Sequence, residues 1–348
     1  MTNETIVPNG TGEPGPFEID RGTPQDALTS IDKIRKDLEA TILTFPAAAN
    51  LEIPPRELIL PPFFYEGDLG YVYSPRGQGK TWFALDMAIA IAEGRKFGPW
   101  VVKRPRKVLY IDGEMPFDDI LTRGRLLSGG KLPENLLLWH HQVLFHRRGS
   151  VLNLACPELQ SALTEYAVAK GIAVLFLDNI SCLMGQVAEN DADAWGELVG
   201  PWLLDLRRRK IAVVLIHHAG RNGRMRGTSK REDAAFWSIR LTPSQDSDEA
   251  RDGASFVATF DKNRNAVNGD CPPLAWKFKP DGERVIPDWS KREPIDVFLD
   301  LVRNGLESCR EIAEEMNVTK GCVSKLAKKA EIKGLIENRN GRYSLKGS

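Results

Sequence analysis

Ser74-Pro75-Arg76-Gly77-Gln78-Gly79-Lys80-Thr81 combines residue types that can bind a phosphate chain. Gly77 and Gly79 lack a Cβ, so the backbone there can take a positive φ and bring its N–H groups close to an anion. Lys80 would reach the β- and γ-phosphates, and the Thr81 hydroxyl would hold Mg²⁺. Ser74 stands where such loops usually carry a first glycine. The bland alternative is a glycine-rich turn with a surface lysine.

Further along lie other groups suited to phosphoryl chemistry. Asp178 ends the apolar run Ala173–Leu177, where a Mg²⁺-holding carboxylate belongs; a helix-capping aspartate is the plainer reading. Glu114 follows Val108–Gly113 and could orient and deprotonate an attacking water, with Asp112 a competitor one step inside the strand. His217-His218 ends Ile211–Ile216. Strand alternation turns one of them toward the site and the other toward the core, and His217 is taken as the catalytic candidate. The next segment, 220–231, holds three glycines and five basic residues, Arg221, Arg224, Arg226, Lys230 and Arg231. Those charges suit nucleic-acid phosphates, although a solvated basic loop would look the same.

These groups need elements to position them. Gly70–Tyr73 reads as a strand, and Trp82–Glu93 as a helix stopped by Gly94, so the loop sits at a helix N-terminus. The runs 107–112, 173–178 and 211–217 are continuously apolar, as strands buried on both faces are. The fold class expected is α/β: a mostly parallel sheet flanked by helices, with a small C-terminal domain. Residues 1–22 read as a disordered tail, and 23–62 as an amphipathic helix followed by a Pro-rich linker. The helix would pack on its own subunit or dock on a neighbour. Residues 63–290 read as the main domain. Residues 291–348 read as three short helices and a hairpin turned at Asn340-Gly341, a winged helix-turn-helix.

Lys plus Arg and Asp plus Glu both number 47, so nucleic-acid binding must be local. One local excess lies in 317–348, which carries eight basic residues against two acidic ones. Lys320, Lys325 and Lys328 on the last helix, with Arg339 and Arg342 in the wing, are the expected DNA contacts; a protein-docking winged helix is the alternative. Five scattered cysteines form no C-x-x-C pair, and no apolar run reaches membrane-spanning length. A soluble, cytoplasmic protein is expected.

The order Ser74–Thr81, Glu114, Asp178, His217-His218 and Arg226–Ser229 resembles the RecA-like hexameric ATPases. RepA-type plasmid helicases are the nearer likeness and DnaB-type replicative helicases the more distant one, over roughly 60–280. The resemblance implies a RecA-like P-loop core, ATP and Mg²⁺ as cofactors, and a homohexamer gripping single-stranded DNA. It implies nucleotide contacts from the whole loop 74–81, with Trp82 and Arg123 beside it. It also implies that Lys262 and Arg264, in Asp261-Lys262-Asn263-Arg264-Asn265, reach a neighbour's γ-phosphate, with Arg240 as a fallback finger. The function expected is an ATP-driven, ring-forming DNA helicase of a plasmid, phage or mobile element. A DNA-binding initiator, loader or regulator that does not unwind is the second reading, and a small-molecule kinase the third.

Overall fold

Ile31, Ile34, Leu38 and Ile42 recur at helical spacing, and the first three lie on an 18-residue helix, α1, Pro24–Thr41, with Ile42 just past its end. This helix belongs to a unit ending at Pro55; a second unit runs from Arg56 to Ser348. The computed structural model describes residues 24–185, 195–219, 234–244, 253–267, 269–316, 318–339 and 341–346, with side chains from 31 onward. The expected tail 1–22 lies outside the described residues.

In the second unit the apolar runs become strands. They are β1 (Leu69–Ser74), β2 (Lys107–Asp112), β3 (Leu136–His140), β4 (Ile172–Asp178) and β5 (Ala212–His218). Four more follow: β6 (Trp237–Pro243), β7 (Ala254–Asn263), β8 (Leu274–Asp281) and β9 (Arg284–Lys291). Together they form one nine-stranded sheet in the order β9-β8-β7-β6-β1-β5-β4-β2-β3. Neighbours from β6 to β3 are parallel, and β6 to β9 form an antiparallel extension.

The central runs are continuous because both faces are covered. Val72, Tyr110, Phe176, Val214 and Ile216 join one core with helices α2 (Lys80–Glu93) and α3 (Phe117–Ser128). Their alternates Tyr71, Ile111, Leu177, Val213 and Leu215 join a second core with α4 (Pro157–Lys170) and α5 (Gly200–Arg208). This is the expected α/β architecture of a RecA-like P-loop core, with strand order β1-β5-β4-β2 beside the loop. α2 is buried on all sides because the antiparallel extension covers it: Phe83 packs edge-on against Phe256 and Trp276.

The stretch 46–62, expected as a linker, is part of this core at its end. Leu58–Leu60 and Phe64–Tyr65 form a hairpin, and Ile59, Leu60, Phe63 and Phe64 are fully buried. Proline masked it, because the prolines punctuate a strand only three residues long.

The C-terminal segment holds α6 (Pro294–Arg303), α7 (Cys309–Glu315), α8 (Lys320–Ile332) and the hairpin β10 (Ile336–Arg339) and β11 (Arg342–Leu345). Phe298, Ile312, Val323, Ala327, Ile336 and Tyr343 make its separate core. Both α7 and α8 start on side-chain caps, Ser308 and Thr319. No helix among the described residues is long and apolar enough to cross a membrane.

Gly70, at the start of the loop strand, leaves room for Trp237: a Cβ there would lie 2.0 Å from the indole ring. Gly70→Ala should cost about 3 kcal/mol, by overpacking. Trp237→Phe, which removes the offending ring atoms, should reduce that penalty in the double variant. Urea midpoints of the four proteins test this.

Candidate active site

All the strand-end groups except one meet at the carboxyl edge of the parallel strands. The loop 74–81 joins β1 to α2, whose N-cap, Gly79, offers no side chain to satisfy the first-turn N–H groups. Gly79 has φ 89° and Gly77 φ 76°, so both glycines are used as glycines. Ser74 does not adopt a positive φ, which is why the missing first glycine matters little.

Lys80 is buried and folds back over the loop. Its Nζ donates to the Pro75 carbonyl at 2.9 Å and to the Ser74 carbonyl and hydroxyl at 3.2 and 3.3 Å. Burial pushes its pKa down to about 8, against the pull of Asp178 and Glu114. An arriving phosphate would give this ammonium a better partner than three neutral oxygens.

Asp178 is buried beneath the loop. Its Oδ2 accepts from the Tyr110 hydroxyl at 2.7 Å, and Thr81 also hydrogen-bonds the carboxylate. Burial raises its pKa, and the two hydroxyls draw it back. The next residue, Asn179, caps the following turn: its Oδ1 accepts from the Cys182 N–H at 3.1 Å. The capping role considered for Asp178 therefore belongs to its neighbour. A hydroxyl and a carboxylate in contact beside a phosphate loop are a hard-oxygen donor pair, which fits Mg²⁺.

Glu114 stands on a turn built by Asp112. The Asp112 Oδ1 accepts from the N–H groups of Glu114 and Met115 at 2.9 and 2.8 Å, while Oδ2 is buried without a hydrogen-bond partner among the described residues. Burial, then the Asp178 charge, push the Asp112 pKa up to about 7, with the two N–H groups opposing. Glu114 goes the other way: His218, 3.6 Å away, holds its pKa below the usual value, helped by Asn179 and Lys80 against burial. Of the two, the Glu114 carboxylate is the more readily ionised, and Asp112 shapes the turn.

Asn179 is a site residue that motif reading missed. Its buried amide Nδ2 donates to the Glu114 carboxylate and lies 3.0 Å from His218 Nε2. A buried asparagine directly after an apolar strand was the available signal, and it reads as an ordinary cap. Of the two histidines it is His218, not the expected His217, that the structure places beside Glu114. His217 shares its strand face with Val213 and Leu215 and is fully buried, so alternation carries it away from Glu114.

Asp112, His140 and His141 also come within metal-ligand distance of one another. The His140 Nδ1 accepts from the Gln142 N–H at 3.1 Å, so its Nε2 carries the proton and donates to the Met115 carbonyl at 3.0 Å. With that tautomer fixed, His140 anchors the Glu114 turn and offers no lone pair to a metal.

The other expected residues are placed as follows. Pro75, Arg76 and Gly77 are exposed on the loop, and the Gln78 side chain donates to the Ser255 carbonyl at 3.3 Å. Arg123 lies over the Trp82 ring at 5.1 Å, beside the first turn of α2. Arg221, Arg224, Arg226, Lys230 and Arg231 lie outside the described residues. Lys262 and Arg264 sit at the other end of the sheet. Lys262 pairs with Ser238, level with Tyr71, and the Arg264 N–H bonds the Phe236 carbonyl. At about 3.3 Å per strand residue, that is roughly 10 Å or more from the chain's own loop. Arg240 is not available as a finger: its side chain is 12% exposed and bonded to Asp261 and Glu315.

Because the Asp112 pKa is raised on folding, stability from this group is present at low pH and lost as pH rises through about 7. Asp112→Asn keeps the oxygen that accepts the two turn N–H groups. It should therefore be more stable than the parent at pH 8, by on the order of 2 kcal/mol, with the gain gone by about pH 4. Urea unfolding at both pH values tests it.

Among solved structures, the chain is similar to the flagellar accessory protein FlaH from Methanocaldococcus jannaschii, at 12% identity and a TM-score of 0.41, covering 64% of this chain and 90% of that one. It is also similar to a KaiC-like protein from Pyrococcus horikoshii, at 16% identity and a TM-score of 0.45, covering 66% of this chain and 94% of that one. No curated protein matches the sequence. The AAA domain family matches residues 35–224, more than half of the chain and the span holding the loop, Glu114, Asp178 and His218. This protein therefore belongs to the AAA domain family, and its sheet and phosphate loop make it a RecA-like P-loop ATPase.

Proposed function

We propose that this ATPase is a ring-forming, ATP-driven DNA helicase or translocase of the RepA type, turning over ATP at subunit interfaces. The observation that carries the reading is the position of Lys262 and Arg264. They lie at the sheet end away from their own loop, so a γ-phosphate within their reach belongs to another subunit. Such a trans arrangement ties hydrolysis to assembly.

At each interface, Lys80 would leave the Ser74 and Pro75 oxygens for the β- and γ-phosphates. Thr81 and Asp178 would hold Mg²⁺, which neutralises charge on those phosphates. Glu114 would take the proton of the attacking water, with Asn179 fixing its carboxylate. The segment 220–231, following the strand that ends in His218, would contact single-stranded DNA. The exposed face of α8, with Lys320, Ser324, Lys325 and Lys328, together with Arg339 and Arg342, would bind duplex DNA as a winged helix. This basic face also favours the second reading, an initiator or loader that binds a duplex site without unwinding. Displacement of a strand from a forked duplex separates the two.

Lys80→Ala should abolish ATP turnover, and single-stranded DNA should stimulate turnover in the parent. Arg264→Ala should bind nucleotide but turn over about a thousandfold more slowly. Mixing the two inactive variants should restore part of the activity, because some interfaces then pair an intact loop with an intact finger. No recovery in a mixed assembly would rule out the trans arrangement. A monomeric mass in the presence of an ATP analogue would rule out the ring.

A further inference from the structure

Arg240 is the one charged side chain on the inner strand β6 between the loop strand and the antiparallel extension. Its Nε lies 3.2 Å from the Asp261 Oδ2, its Nη1 bonds the Glu315 carboxylate, and its Nη2 faces the Glu315 carbonyl at 3.5 Å. Asp261 also accepts from the hydroxyl of Tyr73, the residue before Ser74. The connection is therefore continuous. Ser74 opens the phosphate loop, Tyr73 adjoins Ser74, and Asp261 joins Tyr73 to Arg240, which grips the end of α7.

Two local features show that sheet and helix are shaped around this contact. Asp261 is the extra residue of a β-bulge: Ser238 pairs with Lys262 and Ile239 with Phe260, leaving Asp261 between them. A bulge re-aims a side chain at the cost of regular pairing. Glu315 is the last residue of α7, where the helix dipole disfavours an anion, and the Arg240 guanidinium offsets that. Only a few residues of sequence separate Glu315 from α8, which is capped by Thr319. In this docked arrangement Lys320, Lys325 and Lys328 remain exposed, so a duplex could engage α8 without breaking the ion network.

We propose that Arg240 couples duplex DNA on α8 to the nucleotide site, with Tyr73, Asp261 and Glu315 as the relay. The proposal rests on reading α8 as a duplex-binding surface. A duplex that binds the docked α8 holds Glu315 and, through Arg240 and Asp261, the strand end that carries Ser74. Both ligands then favour the same arrangement, so each tightens the other.

The test uses the full-length protein, a labelled duplex of about 30 base pairs and a non-hydrolysable ATP analogue. Duplex should tighten analogue binding about fivefold or more, and the analogue should tighten duplex binding by the same factor. Glu315→Gln keeps an acceptor beside Arg240 and removes the charge. It should cut the mutual effect below about twofold while each ligand alone still binds. Asp261→Asn breaks the relay one link earlier and makes the same prediction if Glu315→Gln folds poorly. Binding of both ligands without mutual effect, or coupling that survives both substitutions, overturns the relay alone. Absence of duplex binding in the parent overturns the duplex-surface reading and the relay with it.

Discussion

A lysine ammonium held against neutral oxygens is the interaction on which this site depends. Lys80 is the buried cation at an edge where Asp112, Glu114 and Asp178 gather. Burial makes Asp112 and Asp178 hold their protons more tightly, and the neighbouring carboxylate charges add to it. Glu114 escapes this because His218, Asn179 and Lys80 all favour its charge. The same cluster thus separates into an exposed carboxylate that favours its charge, a turn-former and a buried carboxylate held by two hydroxyls, through differences of environment alone.

Much of this was legible from residue order. Ser74–Thr81, Glu114 and Asp178 were readable because each sits at the end of an apolar run, and parallel strands buried on both faces leave polar groups only at their ends. The choice between His217 and His218 was not readable. It turns on strand phase, which shifts by one face with each residue, and the boundary of β5 decides it. Asn179 was hidden for a different reason. It performs an ordinary capping bond with its oxygen and a site-specific one with its nitrogen, and only the first has a sequence signature.

The antiparallel extension was the least legible part of the fold. Its strands carry inward Phe256, Trp276 and Phe278 among charged residues, so their pattern resembles many surface strands. Their purpose appears only when α2 is seen to be apolar all round, and therefore to need cover on the side the parallel sheet cannot reach. Cover of this kind also fixes the helix whose N-terminus faces the phosphate site. Phe256 touches both Phe83 and the space beside Gly79, so helix and loop share one support.

The close approach of Gly70 and Trp237 has a consequence for how this protein can diverge. The two residues are far apart in the chain but occupy one volume, on neighbouring strands in direct register. Neither can change size first without either a clash or a void, so lineages must cross a destabilised intermediate to alter either one. The pair should therefore drift together or not at all, a joint constraint that belongs to the sheet rather than to the catalytic groups it carries.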